Sequence, residues 1–292
     1  MKIAVLADIH GNGPAFEAVL ADIDRQQPAV IVCGGDVVDP FPEAPHIWQT
    51  LEARGIPIIL GNHEEYVRTY FTADDGGEMR DDIRFQPLQA TGRRFRPDVV
   101  EKITALPLTI TLPGPNGADV LICHASPASA RRPFWKLHPD YTLGLNPKIT
   151  ATFDQHPEQV IVGSHIHLRD KQRWRDKWLV LTGSVGLPLS RQPEAQYLLL
   201  THHRGGWQID HRSVPYDVAG YARRLAKDGF LAEAGPIGWL FFDELLTADF
   251  RLVPFFWEFC PTEKPTTLEG WRALVQCYFE SIGRWEVLSA YL

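Results

Sequence analysis

Aspartate, histidine and asparagine residues recur in short clusters directly after apolar stretches of the sequence. These side chains offer carboxylate, imidazole and amide groups, and no cluster needs a thiolate. This donor set suits Mn, Fe, Zn, Co or Ni better than a copper–thiolate or iron–sulfur site. The clusters are Asp8-x-His10, Gly35-Asp36, Gly61-Asn62-His63-Glu64, His124 and His165-x-His167.

Two of these clusters place their donors two residues apart. On an extended segment, side chains at positions i and i+2 point to the same side, so we expect Asp8 and His10 to grip one ion together. His165 and His167 have the same spacing, and their two imidazoles can serve two neighbouring ions. The spacing therefore allows a site with a pair of metal ions.

A pair of metal ions that hydrolyses a phosphate ester needs a bridging carboxylate, a nucleophile and a proton donor. Two cations about 3.5–4 Å apart form a clamp for in-line displacement at phosphorus, and a carboxylate between them holds the like charges close. Asp36 is the natural bridging carboxylate. The cations would lower the pKa of a bridging water towards neutrality, which gives hydroxide as the nucleophile. His63, beside the expected ligand Asn62, is placed to act as general acid for the leaving group.

The clusters follow the strands of a predicted parallel sheet. Strand, polar loop, helix and strand alternate early in the chain, which is typical of parallel strands joined by helices. Open α/β sheets bind their ligands at the carboxyl ends of the strands, where each cluster lies. Asn12 or Gly13 can cap the first helix, with Pro14 in its first turn. Strands are predicted at residues 2–7, 29–33, 56–60, 108–112, 119–123, 160–162, 172–175, 178–181, 196–201 and 207–211.

The rest of the chain indicates two packed sheets with helices outside. Segment 65–106 lacks strand alternation and is predicted to form a helical insertion near the site. The last strands lie close together with short turns, so we expect antiparallel hairpins. A helical pattern begins at Asp217, and the composition becomes rich in Trp and Phe after Pro236. We therefore predict an α/β catalytic domain over residues 1–235 and an aromatic-rich helical extension over residues 236–292.

This ordered set of clusters resembles the motifs of the calcineurin-like metallophosphoesterase superfamily, and the chain is most similar to its small bacterial and archaeal phosphodiesterase branch. The stretches Ala7-Asp8-Ile9-His10-Gly11-Asn12 and Gly183-Ser184-Val185-Gly186 add to the resemblance, which spans about residues 1–215. It implies a four-layer αββα sandwich of two mixed sheets with flanking helices. Beyond about residue 236 it implies nothing.

The resemblance also implies a dinuclear metal centre. Its two divalent ions are expected to be Mn²⁺, with Fe, Zn, Ni or Co as alternatives, and His63 matches the catalytic histidine. One ion would be bound by Asp8, His10, Asp36 and His167, and the other by Asp36, Asn62, His124 and His165.

The sequence departs from the family pattern at two places. Glu64 stands where the family usually has Asp, and Ser164 and Ile166 stand on either side of His165 in a motif that usually reads Gly-His-Thr/Ser-His. The ligand atoms survive these changes. The backbone and the groups around the ligands are affected, and both influence metal preference and rate.

The arginine pair after His124 and the aromatic residues after position 236 each have a structural and a functional interpretation. Arg131 and Arg132 follow the His124 loop and can fork onto a substrate phosphate, although a solvated loop pair is the simpler interpretation. The aromatic residues after position 236 are expected to pack back onto the domain. A cap over the site and a subunit interface, which would make the chain an oligomer, are the alternatives.

Composition and charge limit the class of protein, its partners and its cellular compartment. With 45% hydrophobic and 22% charged residues, the chain is globular in composition. The net charge of −7 argues against nucleic acid or an anionic membrane as the main partner. The four cysteines form no Cys-x-x-Cys pair, and no secretory signal or membrane-length apolar stretch is evident, so a reducing cytoplasm is expected.

The predicted activity is metal-dependent hydrolysis of a phosphodiester or phosphomonoester, with nucleotides among the candidate substrates. The alternative from another class is a non-catalytic scaffold that keeps the fold for partner binding, and the aromatic extension motivates it. Retention of His63 and all seven ligands speaks against the scaffold, because a scaffold needs no proton donor. An amidohydrolase-type enzyme is a third candidate, but the Asp-x-His opening does not fit the usual His-x-His of that class.

Overall fold

The apolar side chains of the first strand alternate between two cores, and this alternation sets the order of the layers. In the computed structural model, which describes residues 1–292 apart from the side chain of residue 97, Ile3 and Val5 pack against the second sheet. Ala4 and Leu6 pack against outer helices. The chain is thus an α/β protein of two packed sheets, as the sequence predicted. Its strands are β1 (Lys2–Leu6), β2 (Val30–Cys33), β3 (Thr109–Leu112), β4 (Val120–Cys123), β5 (Trp135–Leu137), β6 (Leu143–Leu145), β7 (Val160–Gly163), β8 (Arg169–Trp174), β9 (Lys177–Thr182), β10 (Ala195–His203) and β11 (Gly206–Val214).

Both large sheets are mixed. The first has the order β11-β10-β1-β2, with β1 parallel to β2 and antiparallel to β10. The second has the order β3-β4-β7-β9-β8, in which β4, β7 and β9 run parallel. The predicted hairpins are confirmed, since β8 pairs antiparallel with β9 and β10 with β11. The parallel strands carry the loops that hold the polar clusters.

One predicted strand is wrong. Residues 56–60 form only a single parallel bridge among the described residues, between Ile58 and Cys33. Cys33 donates its N–H to the carbonyl of Pro57 at 2.9 Å, but Pro57 has no N–H with which to extend the ladder. The segment still lies beside β2, so Asn62 follows it at the same edge of the sheet.

Helices cover the outer face of the first sheet. Asn12 caps the first of them, because its Oδ1 accepts the N–H of Ala15 at 3.1 Å, and Pro14 lies in the first turn as predicted. Among the described residues, none of the helices combines the length and apolar character needed to cross a bilayer. The helices are α1 (Gly13–Gln26), α2 (Ala44–Ala53), α3 (Asn62–Thr72), α4 (Glu78–Asp81), α5 (Gln86–Gly92), α6 (Pro97–Thr104), α7 (Pro147–Thr150), α8 (Val218–Lys227), α9 (Phe230–Thr247), α10 (Leu252–Pro254), α11 (Leu268–Ser281) and α12 (Trp285–Ser289).

The outer face of the second sheet is covered by a small hairpin and short helices. Strands β5 and β6 pair antiparallel, and they were missed in the sequence because each is only three residues long. Trp135 of β5 and Phe153 pack on Leu121 and Ile161 of the sheet. The helical insertion predicted for 65–106 is confirmed as α3 to α6 with a short 3-10 turn between α4 and α5.

The C-terminal helices form an apolar core of their own. Phe242, Phe255 and Trp271 are buried in it. Helix α9 is kinked at Gly235, whose φ of +65° and ψ of −167° belong to a region open almost only to glycine. A Cβ at Gly235 would also overlap the side chain of Gln86 on α5. Gly235 thus allows α9 to pack closely on α5, and a domain boundary at this residue stays a prediction.

Candidate metal centre

The predicted ligands lie at turns of the backbone rather than on extended segments. Asp8 and His10 follow the end of β1 and have φ angles of +53° and +54°. Asp36 at +52°, His165 at +75° and His167 at +61° share this left-handed conformation. The expectation that extended i and i+2 positions aim these side chains together is therefore wrong. Residues other than glycine rarely adopt such angles, and they persist where the surrounding structure holds them, often at functional sites.

The first group of donors comes from the loops after β1, β2 and β7. The Nε2 of His10 lies 3.0 Å from the Nε2 of His167 and 3.9 Å from Oδ2 of Asp36. The Nε2 of His167 lies 3.8 Å from Oδ1 of Asp8. Asp8, His10, Asp36 and His167 each offer a donor atom, and these atoms all lie within 4.8 Å of one another. These four residues are the set that the resemblance implies for one ion.

The ring nitrogens of His10 and His167 face each other with unshared electron pairs. The Nδ1 of His10 is bonded to the backbone oxygen of Asp39, and the Nδ1 of His167 to that of Leu187 at 2.7 Å. A carbonyl oxygen only accepts, so each Nδ1 carries the proton and each Nε2 a lone pair. Burial lowers the pKa of both rings, that of His167 to about 4. Two lone pairs 3.0 Å apart repel each other unless a cation binds both, so the pair fits a divalent metal.

The second group of donors shares one residue with the first. Donor atoms of Asp36, His124 and His165 lie within 4.8 Å of one another. The Oδ1 of Asn62 lies 3.0 Å from Nε2 of His124 and 2.7 Å from Nδ1 of His165. Oδ2 of Asp36 is 3.2 Å from the Nε2 of His124. The structure thus brings all seven predicted ligands together, with Asp36 common to both groups.

Ser164, one of the two departures from the family pattern, supports a ligand. Its Oγ lies 2.9 Å from Nδ1 of His124. The same Nδ1 lies 2.8 Å from the carbonyl oxygen of Gly34, and Oγ donates to that oxygen at 3.1 Å. Burial disfavours the charged ring, but Asp36 outweighs it and raises the pKa of His124 to about 10, so without a metal ion both nitrogens carry protons. Because Nδ1 is held by Gly34, Nε2 is the atom that would give up its proton and bind a metal ion.

Glu64, the other departure, ties the loop after β2 to the start of α3. Its carboxylate accepts the N–H groups of Asp36 and Val37 at 2.8 Å each and of Gly61 at 3.0 Å. The side chain is fully buried, and burial raises its pKa to about 7. Glu64 therefore fixes the backbone that carries Asp36 and Asn62, a role that its place in the sequence did not reveal.

Replacing Glu64 with glutamine is expected to destabilise the protein and weaken metal binding. The amide turns one acceptor into a donor, so at least one buried N–H of the loop loses its partner, at a cost of about 1–3 kcal/mol. Glu65→Gln, at the neighbouring and more exposed position, is the matched control and should cost less than about 1 kcal/mol. Thermal unfolding and metal titration of the two variants test this. Equal unfolding temperatures would contradict the role given to Glu64.

The pKa values of the two buried aspartates of the centre, Asp8 and Asp36, are shifted in opposite directions. Burial raises the pKa of Asp8 well above its ordinary value. Burial acts on Asp36 too, but His124 and His63 beside it hold its pKa well below the ordinary value. The protein alone thus stabilises one ionised carboxylate, and ionisation of both requires added positive charge. Divalent cations would supply that charge.

His63 is held at the edge of the metal centre by two aspartates. Its Nδ1 lies 2.9 Å from Oδ2 of Asp39, and its backbone N–H donates to Oδ1 of Asp36 at 2.9 Å. Burial disfavours the charged ring, but Asp36 and Asp39 outweigh it and raise the pKa of His63 to about 9. The ring therefore carries a proton to give at neutral pH. The sequence did not single out Asp39, because no cluster contains it.

The two arginines considered as phosphate ligands lie at the surface beside α3. Arg131 forms an ion pair with Glu65, and its guanidinium stands 4.9 Å from the centre of the Tyr66 ring. Arg132 is exposed. The described lining of the cavity at the metal centre includes neither of them. Their contact with a substrate stays a prediction.

A cavity of about 510 Å³ opens beside the metal centre. One side is lined by four histidines of the centre, namely His10, His63, His165 and His167. Another part of the wall comes from the hairpin of β5 and β6, and another from the C-terminal helices, including Phe241, Phe250, Leu252 and Trp257. The aromatic C-terminal residues therefore pack back onto the domain, and some of them line the cavity beside the site.

Comparison with known proteins identifies a family and a relative that this chain resembles in sequence. The family model described as calcineurin-like phosphoesterase matches residues 1–224. An uncharacterized protein from Methanocaldococcus jannaschii is 26% identical over 236 residues, which cover 77% of this chain and 92% of the relative. The family match covers the two large sheets, the helical insertion and all seven predicted ligands.

Solved structures resemble the fold. A metallophosphoesterase from Sphaerobacter thermophilus aligns with a TM-score of 0.63 at 18% identity, over 85% of this chain and 99% of that one. A hypothetical protein from Pyrococcus horikoshii aligns with a TM-score of 0.66 at 17% identity, over 86% and 99% of the two chains. At these identities the likeness speaks for the fold alone, and it agrees with the predicted arrangement of two mixed sheets flanked by helices.

Proposed function

Because this chain belongs to the calcineurin-like phosphoesterase family, we propose that it is a phosphate ester hydrolase working with two divalent metal ions. One observation carries the proposal: two groups of donor atoms, each within 4.8 Å, share Asp36. The donors are imidazole nitrogens with carboxylate and amide oxygens, which suit Mn, Fe, Zn, Co or Ni. The resemblance to the family makes Mn²⁺ the first ion to test. The substrate is a phosphodiester or a phosphomonoester, with nucleotides among the candidates.

The residues of the centre divide the work of hydrolysis. Asp36 would lie between the two ions, with the other ligands of each group around them. When bound, the ions would draw charge from the phosphate oxygens and provide a nucleophile from water near neutral pH. His63 gives a proton to the oxygen of the leaving group. Asp39 holds the Nδ1 of His63, so the other ring nitrogen delivers that proton.

The free cysteines and the net charge support a reducing cellular compartment and a small substrate. All four cysteines are free, and Cys33 and Cys123 are buried, which suits the reducing cytoplasm that we propose. The net charge of −7 disfavours a polyanionic nucleic acid, since such substrates are bound mainly through Lys and Arg. Small phosphate esters are therefore the substrates to test first.

Metal-dependent turnover tests the proposal. We expect protein stripped with a chelator to be inactive, and to hydrolyse bis-p-nitrophenyl phosphate or p-nitrophenyl phosphate once Mn²⁺ is restored. Elemental analysis should then find about two metal ions per chain. Absence of turnover with Mn, Ni, Co, Zn and Fe, together with less than one bound metal per chain, would overturn the proposal and favour the scaffold alternative.

A further inference from the structure

The cavity beside the metal centre is completed by a part of the chain outside the family match. Phe241, Phe250 and Trp257 belong to residues 225–292, and they line the cavity together with Trp135 of β5. The volume of about 510 Å³ falls in the range of roughly 300–1,000 Å³ that holds small organic ligands. This chain therefore adds its own wall to the site that the family shares.

Trp257 is unusually exposed for its size. Its side chain lines the cavity and yet the residue keeps 58% of its surface exposed, whereas Phe255, two positions earlier, is fully buried and anchors the same short turn. Contiguous apolar surface left open to water often marks a binding site, and Trp257 shares its cavity wall with Phe241 and Phe250. Flat aromatic rings also pack favourably on other flat rings, so an aromatic ligand is the occupant that this wall suits.

The two parts of the cavity wall, the β5–β6 hairpin and the C-terminal turn that holds Trp257, contact each other. The ring of Tyr141, in the turn between β5 and β6, is stacked on Phe250 with the ring centres 5.2 Å apart. The hydroxyl of Tyr141 donates to Oε1 of Glu258, next to Trp257, at 2.7 Å. These contacts hold the hairpin and the C-terminal turn in a fixed relation, so the cavity is formed before a ligand arrives.

Glu244 brings one polar group to this apolar wall. It lines the cavity, yet only 3% of its surface is exposed. Its Oε1 accepts the N–H groups of Arg251 at 2.8 Å and Leu252 at 3.0 Å. Oε2 has no hydrogen-bond partner among the described residues. Oε2 is not sealed from solvent, so a ligand in the cavity that donates an N–H can take the place of water at this atom.

We propose that this cavity binds a purine nucleoside carried by the phosphate ester, with the aromatic side chains against the ring and Glu244 accepting its N–H groups. The inference rests on the proposed function, because the phosphate of such a substrate would lie at the metal centre. His10, His165 and His167 line the same cavity, so a group esterified to that phosphate extends directly into it. Guanosine, with adjacent N–H donors, is the best probe.

Calorimetric titration of the Mn²⁺-loaded full chain with free nucleosides tests this without any catalysis. Guanosine should bind at least about tenfold more tightly than purine riboside, whose ring lacks N–H donors, and ribose should not bind. Trp257→Ala should weaken binding of both nucleosides about tenfold or more, because it removes the stacking surface. Glu244→Gln should weaken guanosine only. Val287→Ala, on the exposed face of α12 away from the cavity, is the control and should change neither affinity.

A parallel rate measurement separates this inference from the proposed function. The substrates are the p-nitrophenyl esters of guanosine 5′-phosphate and of methyl phosphate. We expect a higher kcat/KM for the guanosine ester, with the ratio reduced in Trp257→Ala. If both esters are hydrolysed equally and no nucleoside binds at millimolar concentration, the inference is overturned and the proposed function stands. If guanosine binds but neither ester is hydrolysed, the proposed function fails while the binding site stands.

Discussion

Replacing Asp36 with asparagine is expected to reduce phosphodiester hydrolysis about 1,000-fold. The change removes the negative charge that would hold the two metal ions at the reacting phosphate. Asp36 is common to both donor groups, and its Oδ2 lies 3.2 Å from the Nε2 of His124. Asparagine keeps the shape and an acceptor for the N–H of His63, but it cannot neutralise two cations. We therefore expect metal content to fall below two ions per chain. Rate measurements at saturating Mn²⁺ and elemental analysis give the two readouts.

Asp22→Asn is the matched control for Asp36→Asn. Asp22 is also a buried aspartate, but it pairs with Arg212 and Tyr197 away from the centre. Its loss should lower stability and leave kcat and metal content near the unmodified values. Circular dichroism is the check that both variants fold. An Asp36→Asn protein with two bound metals and more than a tenth of the activity would contradict the shared position of Asp36.

The convergence of the predicted ligands could be expected from the sequence, but the backbone geometry that brings them together could not. Each ligand follows an apolar run, and the carboxyl ends of parallel strands meet at one edge, so convergence could be expected. The extended geometry predicted for Asp8 and His10 failed because both adopt left-handed φ angles. Aspartate and histidine adopt such angles more often than most other residues apart from glycine, but residue type does not tell at which positions they do so. Interactions distant in sequence, such as the bond from Nδ1 of His10 to Asp39, accompany them.

Groups that support the ligands were harder to foresee than the ligands. Glu64 lies inside a cluster but acts on the backbone of Val37, 27 positions away. Glu244 and Trp257 reach the site only because α9 and the turn after α10 pack over it. That packing depends on contacts such as Gly235 against Gln86, which leave no periodic signal in the sequence. The sequence pattern therefore predicted which donor groups come together, and tertiary packing decides the shape of the cavity beside them.

Replacing His63 with glutamine is expected to slow hydrolysis in a way that depends on the leaving group. Esters of poorly acidic alcohols need a proton on the departing oxygen, so their kcat/KM should fall about 100- to 10,000-fold. p-Nitrophenolate leaves without protonation, so the same variant should lose less than about tenfold on its esters. Glutamine keeps a hydrogen-bonding side chain of similar length but cannot act as the acid. A series of aryl and alkyl phosphate esters gives the dependence of rate on leaving-group acidity.

Two further variants make the His63 result specific. Asp39→Asn removes the charge that holds the Nδ1 of His63 and helps keep the ring protonated, so it should show the same leaving-group dependence in weaker form. His203→Gln, at an exposed position at the end of β10, should leave every rate unchanged. If His63→Gln slows p-nitrophenyl and alkyl esters to the same extent, His63 does not donate the proton. Its role would then be to position the phosphate, and Asp39→Asn would no longer be expected to follow it in leaving-group dependence.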